Sequence, residues 1–140
     1  MTIRYELGNK EDAFAVRTSV FIEEQGFNDE FDSIDDTIAL HITAYSGTTC
    51  VGCARIFPDE TDPDTFIFGR LAVLPSHRLQ GLGGKILTFA EEAARKAQAK
   101  HLHLHAQCRV MPFYESFGYT AFGPVELDEQ VEHIWMKKDI

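Results

Sequence analysis

The sequence predicts an α/β fold with elements in the order β-α-β-β-β-α-β-α-β-β. Two observations carry this prediction. Segments whose apolar residues alternate with polar ones are interleaved with segments whose apolar residues recur every three or four positions. In addition, a glycine-rich turn at residues 78–85 separates an apolar strand from an amphipathic helix. The 140 residues contain no repeats, linkers or low-complexity tracts, so we expect a single domain over residues 1–140.

The N-terminal half is predicted to contain one helix and four strands. Alternating apolar residues place a first strand at residues 2–7. Asn9 can cap a helix that begins near Lys10 and ends near Gly26. Three further strands are expected at residues 38–45, 50–57 and 66–74, the first two joined by a hairpin connection at residues 46–48.

Two connections in this half, residues 27–37 and 58–65, are acidic. The first contains Asp29, Glu30, Asp32, Asp35 and Asp36. Charge on loops is usually only solvated surface, so we expect these side chains to be exposed, although they could attract a cationic substrate.

The C-terminal half is predicted to contain two helices and three strands. A helix over residues 82–99 has one apolar face, and a strand follows at residues 101–107. A short helix at residues 112–117 should end at Gly118. The last strands are expected at residues 119–122 and 131–136, separated by a loop at residues 123–124.

Composition limits the partners of this chain. Its formal net charge of −9 repels phosphate backbones, so we expect no nucleic acid partner. The sequence shows neither a secretory signal nor an apolar run of membrane-spanning length, so we expect a cytoplasmic protein with no membrane partner. Cys50 and Cys53 have C-x-x-C spacing, but they fall on a predicted strand, where residues three apart should diverge. We interpret them as reduced thiols without a redox or zinc role.

The turn at residues 78–85, Arg-Leu-Gln-Gly-Leu-Gly-Gly-Lys, is suited to binding a phosphorylated cofactor. Glycines allow close approach of the backbone, and the first N–H groups of a helix have no intrahelical partner. Arg78 adds a positive charge at the same place. The spacing is neither that of an ATP-binding P-loop nor that of a dinucleotide-binding fold.

This spacing, R-x-x-G-x-G with Arg78, Gly81 and Gly83, resembles the acyl-CoA loop of the GCN5-related N-acetyltransferases (GNAT). The order of elements is also that of this family, so the resemblance covers nearly the whole chain. Residues 113–119, Phe-Tyr-Glu-Ser-Phe-Gly-Tyr, are similar to the family's fourth helix. Further stretches at residues 20–25, 51–55, 69–73 and 133–136 resemble the small, single-domain ElaA-like branch.

The resemblance implies a mixed, mostly antiparallel sheet of six to seven strands with helices on both faces. It implies acetyl-CoA as co-substrate, no metal, and transfer of the acetyl group to a primary amine of a small molecule or peptide. Tyr114 would be the general acid that protonates the leaving thiolate. The cofactor would be bound by Leu71, Ala72, Val73, Arg78, Leu79, Gln80, Gly81, Leu82, Gly83 and Gly84.

The residue that deprotonates the amine is less well defined by the sequence. Glu24 lies near the end of the first helix, beside the expected acceptor cleft, and His41 and His133 lie on strands that could reach it. We therefore take these three as acceptor-site candidates, with ordered water as an alternative base.

Two other classes of function compete with the transferase hypothesis. The chain could be a catalytically silent CoA-binding sensor or interaction module. It could also be a metal-dependent hydrolase that uses His101, His103 and His105, which share one face of a strand and are spaced as zinc ligands can be. We interpret that stripe instead as a polar-tolerant face under a helix. A homodimer could form through an edge strand at residues 131–136.

Overall fold

The computed structural model describes residues 2–28 and 30–140, so the predicted acidic residue Asp29 lies outside the described residues. Within this part of the chain, seven strands and four α-helices follow in sequence. The strands are β1 (Ile3–Leu7), β2 (Leu40–Ser46), β3 (Thr49–Pro58), β4 (Thr65–Val73), β5 (His101–Gln107), β6 (Thr120–Asp128) and β7 (Val131–Asp139). The helices are α1 (Lys10–Arg17), α2 (Ile34–Thr37), α3 (Leu82–Lys96) and α4 (Met111–Ser116).

All seven strands form one mixed sheet in the order β1-β2-β3-β4-β5-β7-β6. Every neighbouring pair is antiparallel except β4 and β5, which run parallel because α3 connects them as a crossover. The predicted fold class, a mixed and mostly antiparallel sheet with helices on both faces, is confirmed.

The core has one layer on each face of the sheet. On one face α3 inserts Ile86, Leu87, Ala90 and Ala94, none of which is exposed, among strand residues such as Leu104. On the other face α1 packs a smaller apolar cluster against β3 and β4. The amphipathic pattern of α3 is the reason that it covers the sheet with one side and meets water with the other.

The first helix begins as predicted. The side chain of Asn9 caps it by accepting a hydrogen bond from the backbone N–H of Asp12 at 3.1 Å. Beyond Arg17 the helix continues as a π-helix over Thr18–Glu24. Apolar periodicity does not distinguish a widened turn from an α-helical one, so the sequence predicted the length of this segment but not its winding.

The end of the chain differs from the prediction. Gly123 does not lie in a loop between two strands but in a bulge within β6, with φ +78°. The chain reverses instead at Glu129 and Gln130, both of which have positive φ. β7 is therefore paired on both sides, with β5 and β6, and the predicted dimer contact through residues 131–136 is wrong because that strand is not an edge.

The cysteines also depart from expectation. Cys50 and Cys53 lie on a strand as predicted, but a bulge in β3 puts an extra residue between them. Both side chains consequently pack on the α1 side of the sheet rather than diverging. Both are free thiols, and burial raises the pKa of each.

None of the helices in the described part of the chain combines the length and the apolar composition needed to cross a membrane.

Candidate active site

A cleft opens in the middle of the sheet where β4 and β5 separate. The two strands pair only from Thr65 and His101 to Phe68 and Leu104. β4 remains paired with β3 as far as Val73, so its other edge faces an opening of about 530 Å³. Backbone polar groups on that edge have no neighbouring strand, which makes them available to a ligand lying along β4.

A β-bulge redirects β4 at the point of separation. Arg70 and Leu71 lie opposite the single residue Ala54 of β3, and Arg70 has φ +55°, an unfavourable value for a residue with a side chain. The Nε of Arg70 holds this conformation through contacts with Glu30, 3.1 Å from its carbonyl oxygen and 3.0 Å from its carboxylate. Bulges commonly redirect side chains at binding sites, and Leu71 and Val73 beyond this one line the cleft.

The glycine-rich turn forms one end of the cleft. Gly81 caps α3 with φ +74°, a left-handed conformation that glycine adopts without strain. The N–H of Lys85 bonds to the carbonyl of Gly81 at 3.2 Å, so the N–H groups of residues 82–84 precede the first intrahelical bond. Those donors and the positive end of the helix dipole form a site for an anion such as a pyrophosphate.

The structure divides the predicted cofactor residues into two groups. One group lines the cleft directly: Leu71, Val73, Arg78, Leu79 and Gly83. The other does not: Ala72, Gln80, Gly81, Leu82 and Gly84. Among the second group, Ala72 packs towards α1 and Leu82 lies in the core under α3, so only their main-chain atoms could take part in binding.

Packing explains why position 84 is a glycine, which the sequence alone did not indicate. A Cβ atom at this position would collide with the ring of Phe117, which follows α4. The glycine is therefore required for the close approach of α3 and α4. At Gly83, in contrast, a Cβ would meet Phe113 at an ordinary distance of 3.6 Å.

Arg78 and Glu24 form an ion pair beside the anion site. The guanidinium donates two hydrogen bonds to the carboxylate, at 2.7 and 2.6 Å, while its Nε donates to the carbonyl of Val73 at 2.9 Å. The pairing with Arg78 lowers the pKa of Glu24. A carboxylate held in this way is a weak base and does not line the cleft, so the structure does not favour Glu24 as the residue that deprotonates an amine.

Because Glu24 occupies the guanidinium that would bind phosphate, we expect Glu24→Gln to tighten CoA binding a few-fold at low salt. Isothermal titration calorimetry with CoA measures this directly. Asp36→Asn is the matched control, since it removes one negative charge from another exposed ion pair, with Lys10. Weaker binding by Glu24→Gln than by Asp36→Asn would show that Glu24 orients Arg78 rather than competing for it.

Tyr114 lies inside the cleft, on the face of the sheet that α3 covers. Its side chain packs with Phe113 and Tyr119 and is 8% exposed. The hydroxyl forms no hydrogen bond to any residue within 2–28 and 30–140. Burial raises the pKa of Tyr114, so the hydroxyl stays protonated throughout the neutral range. It is therefore a proton donor without a partner among the described residues.

The two predicted acceptor-site histidines have different positions. His133 lines the cleft and is nearly buried. His41 does not line it: its Nε2 lies 3.0 Å from the carbonyl oxygen of Asp35, and its ring packs edge-on against Phe14. The structure does not place His41 at the cleft, because β2 directs this side chain towards Asp35 and Phe14.

The first acidic segment is not a solvated loop, which corrects the prediction for residues 27–37. Glu30 and Asp35 are buried, and both pair with Arg17, which is 1% exposed. Arg55 adds bonds to Asp32 and Asp35 at 2.7 and 2.8 Å. These arginines hold the pKa of Asp35 well below its usual range against the effect of burial. The network anchors the segment from which Phe27 and Glu30 line the cleft.

Side-chain contacts tie this segment across the cleft to the far half of the sheet. Gln107 donates to Gln25 at 3.1 Å and accepts from Arg109 at 2.9 Å. The backbone N–H of Asn28 donates to the carboxylate of Glu129 at 2.8 Å. The sequence analysis missed these residues as parts of the site, because contacts between residues 82 and 101 positions apart leave no local pattern.

The histidine stripe on β5 shares one face as predicted, but no helix of the described residues covers it. His101 pairs with Asp139, and His103 packs against Phe122. His105 stacks on Trp135 and lines the cleft. Among the residues that the structure describes, no group of three or more His, Cys, Asp or Glu side chains is arranged to hold a metal ion.

The mixed sheet thus opens between two parallel strands, and the N-terminus of α3 lies at one end of the opening. Residues 9–140 match the acetyltransferase (GNAT) domain, and the chain therefore belongs to the GNAT acetyltransferase family, as the resemblance predicted. Membership of this family supports acyl-CoA-dependent N-acyltransferase activity as the general class of reaction.

Individual proteins agree with this assignment. The chain is 36% identical over 134 residues to the uncharacterized N-acetyltransferase YjcF of Bacillus subtilis (strain 168), with 91% of each protein covered. The crystal structure of Escherichia coli ElaA superposes with a TM-score of 0.88 at 23% identity, over 99% of this chain and 100% of ElaA. An acyl-CoA N-acyltransferase from Pseudomonas aeruginosa superposes with a TM-score of 0.85 at 23% identity, over 98% and 99% of the two chains.

Proposed function

We propose that this chain transfers an acetyl group from acetyl-CoA directly to a primary amine of a small molecule or peptide, with Tyr114 as the general acid. One observation carries the proposal. A single cleft has a helix N-terminus suited to an anion at one end, and inside it a protonated Tyr114 hydroxyl that forms no hydrogen bond to the described residues. A phosphorylated thioester needs both features, one to anchor it and one to protonate its leaving group.

The residues present suit acetyl-CoA. The N–H groups of residues 82–84 and the guanidinium of Arg78 would bind the pyrophosphate. The free edge of β4 at Leu71 and Val73 would hydrogen-bond the pantetheine arm through its main chain. When bound, the co-substrate supplies an activated acetyl group, and the protein contributes position and proton transfer.

Direct transfer asks two things of the protein in this cleft. The amine has to be presented as a neutral nucleophile to the thioester carbonyl. The sulfur that leaves has to gain a proton, which the Tyr114 hydroxyl can donate because burial keeps it protonated. The loop contacts from Gln25 and Asn28 would help to exclude water from the reaction.

Gly83→Asp tests the cofactor site. The new side chain puts a negative charge beside the expected pyrophosphate. We therefore expect calorimetry to show a Kd for CoA that is about tenfold to a hundredfold higher. The fold should persist, because a Cβ at Gly83 meets only ordinary contacts and an aspartate in the first turn favours a helix.

Gly83→Ala is the matched control, since it adds the Cβ without the charge and should bind CoA much more tightly than Gly83→Asp does. Thiol release from acetyl-CoA in the presence of polyamines, amino acids and aminoglycosides then tests the transfer itself. CoA binding without turnover of any amine would favour the sensor or interaction module, and wild-type protein that binds no CoA would contradict both functions.

A further inference from the structure

Residues on both faces of the sheet line the cleft. Along β5, Leu104 and Ala106 point into the core under α3, together with Tyr114. His105 lies between them in sequence and points to the opposite face, which α1 shares. Tyr114 and His105 therefore flank the gap from opposite sides of the sheet.

His105 is set among aromatic and acidic neighbours on that face. It stacks on Trp135 with a centroid distance of 4.8 Å and lies 5.0 Å from the ring of His133. Its Nε2 is buried and lies 3.2 Å from a carboxylate oxygen of Glu126. Its Nδ1 has no hydrogen-bond partner among the described residues.

The ring of His133 is oriented by a backbone contact. Its Nδ1 lies 2.9 Å from the carbonyl oxygen of Val131, an acceptor, so Nδ1 carries a hydrogen and Nε2 is the nitrogen left for other contacts. In the sheet His133 lies between Gln107 of β5 and Glu126 of β6. Two imidazoles thus line the same side of one cleft.

We infer that His105, assisted by His133, is the proton acceptor for the incoming amine, on the face of the sheet opposite the general acid Tyr114. The inference rests on the proposed acetyltransferase function. It assigns the acceptor entrance to the α1 face, between two sets of cleft-lining residues: Gln25, Phe27 and Glu30 on one side, and Asp128 and Glu129 at the β6–β7 turn on the other.

The step balances as follows. The amine nitrogen forms a bond to the acetyl carbon and gives one proton to a ring nitrogen of His105. The carbon–sulfur bond breaks, and the sulfur takes the proton of the Tyr114 hydroxyl. His105 later releases its proton to solvent, and Tyr114 regains one, so the net products are an acetylated amine and CoA thiol.

The charged groups around His105 are compatible with a neutral ring at neutral pH. Burial and the neighbouring His133 lower its pKa, while Glu126 and Asp128 of β6 oppose that change. On β4 and the loop, Arg70 and Glu30 pair with each other. Three further charged residues line the cleft: Arg78 pairs with Glu24, Arg109 bonds to Gln107, and Glu129 bonds to the backbone of Asn28.

Histidine nitrogen and carbon shifts followed by NMR across pH test the pair without any acceptor. We expect the His105 ring to be neutral at pH 7 and to titrate below the ordinary histidine value of about 6.5, and Nδ1 of His133 to carry a hydrogen. His133→Asn should raise the His105 midpoint, and Glu126→Gln should lower it. The inference would be overturned if the His105 ring is charged at pH 7, or if its titration midpoint is the same in both variants as in the wild type.

Kinetics with acetyl-CoA and n-butylamine test the role in transfer. We expect His105→Gln to lower kcat/KM at pH 7 by about a hundredfold and to remove the acidic limb of the pH profile, while CoA affinity is unchanged. His103→Gln is the matched control, because this neighbour lies on the same face but does not line the cleft. A full rate and an unchanged acidic limb in His105→Gln would refute the inference alone, whereas wild-type protein that acetylates no amine would refute the proposed function as well.

Discussion

Replacing Arg17 with methionine is expected to lower the free energy of unfolding by about 3–5 kcal/mol, the usual effect of removing one partner from a buried ion pair. Arg17 is 1% exposed and donates four hydrogen bonds, two to Glu30 and two to Asp35, at 2.7–3.0 Å. Methionine preserves most of the length but leaves two buried carboxylates short of a counter-charge. Urea denaturation at pH 7 measures the change.

The pH dependence separates an electrostatic loss from a packing loss. The arginines hold the folded-state pKa of Asp35 below its unfolded value, so its contribution to stability is complete above about pH 4 and is lost as the pH falls further. The difference between wild type and Arg17→Met should therefore shrink in acid. A difference that stays constant down to pH 3 would mean that the methionine merely packs badly.

Two variants control for length and for charge. Arg17→Lys keeps the charge but loses the planar arrangement of donors, so it should fall between wild type and Arg17→Met. Lys10→Met removes a cation from an exposed pair with Asp36 and should leave stability nearly unchanged. If Arg17→Met proves too unstable to purify, the free energy of unfolding of Arg17→Lys still tests the contribution of this ion-pair network to stability.

The sequence predicted the regular elements because their patterns are local. β5 was expected at residues 101–107 and lies there, since alternating His and Leu or Ala describe a half-buried strand without ambiguity. The start of α3 after the glycine turn was predicted for the same kind of reason. The strand predicted at residues 119–122 ended too early, because Gly123 and the following proline are typical of loops. In the structure they occupy a bulge on an edge strand, β6.

The site was predictable only where its chemistry is carried by a short motif. The turn at Arg78–Gly83 and the aromatic Tyr114 were found in this way, and both line or border the cleft. The acidic segment was wrongly predicted to be exposed, because its partners Arg17 and Arg55 are distant in sequence. Nothing in the sequence around these arginines indicates that they are buried. Charge patterning alone cannot separate a solvated carboxylate from one buried against arginine.

The position of His105 in the cleft was likewise not predictable from the local sequence. Three histidines on one strand face is a pattern that zinc sites use, but we interpreted the stripe as a polar-tolerant face under a helix and gave none of the three a role in the site. What distinguishes His105 from His101 and His103 is that β4 and β5 separate directly after Leu104, which exposes it to the cleft. That separation depends on a bulge at Arg70 and has no signature in the sequence of β5 itself.

Replacing Tyr114 with phenylalanine is expected to lower the acetyl-transfer rate by a factor of about 10² to 10⁴, the usual effect of losing a general acid. Phenylalanine keeps the ring contacts with Phe113 and Tyr119 and removes only the hydroxyl, which makes no hydrogen bond within the described residues. Thermal stability and CoA affinity should therefore change little. Steady-state kinetics by thiol release, with the amine identified by screening, provide the measurement.

The size and the form of that loss both follow from the chemistry. A thiolate with a pKa near 8.5 leaves partly without help, so a loss near 10² is expected rather than one near 10⁴. The loss should appear in kcat more than in KM, because the donated proton matters only in the transition state. Tyr119→Phe is the matched control: its hydroxyl bonds to Glu91 at 2.7 Å in the core, so stability should fall while kcat is retained. Tyr114→Phe with a wild-type kcat would instead mean that Tyr114 only packs in the core, and that water or another residue protonates the thiolate.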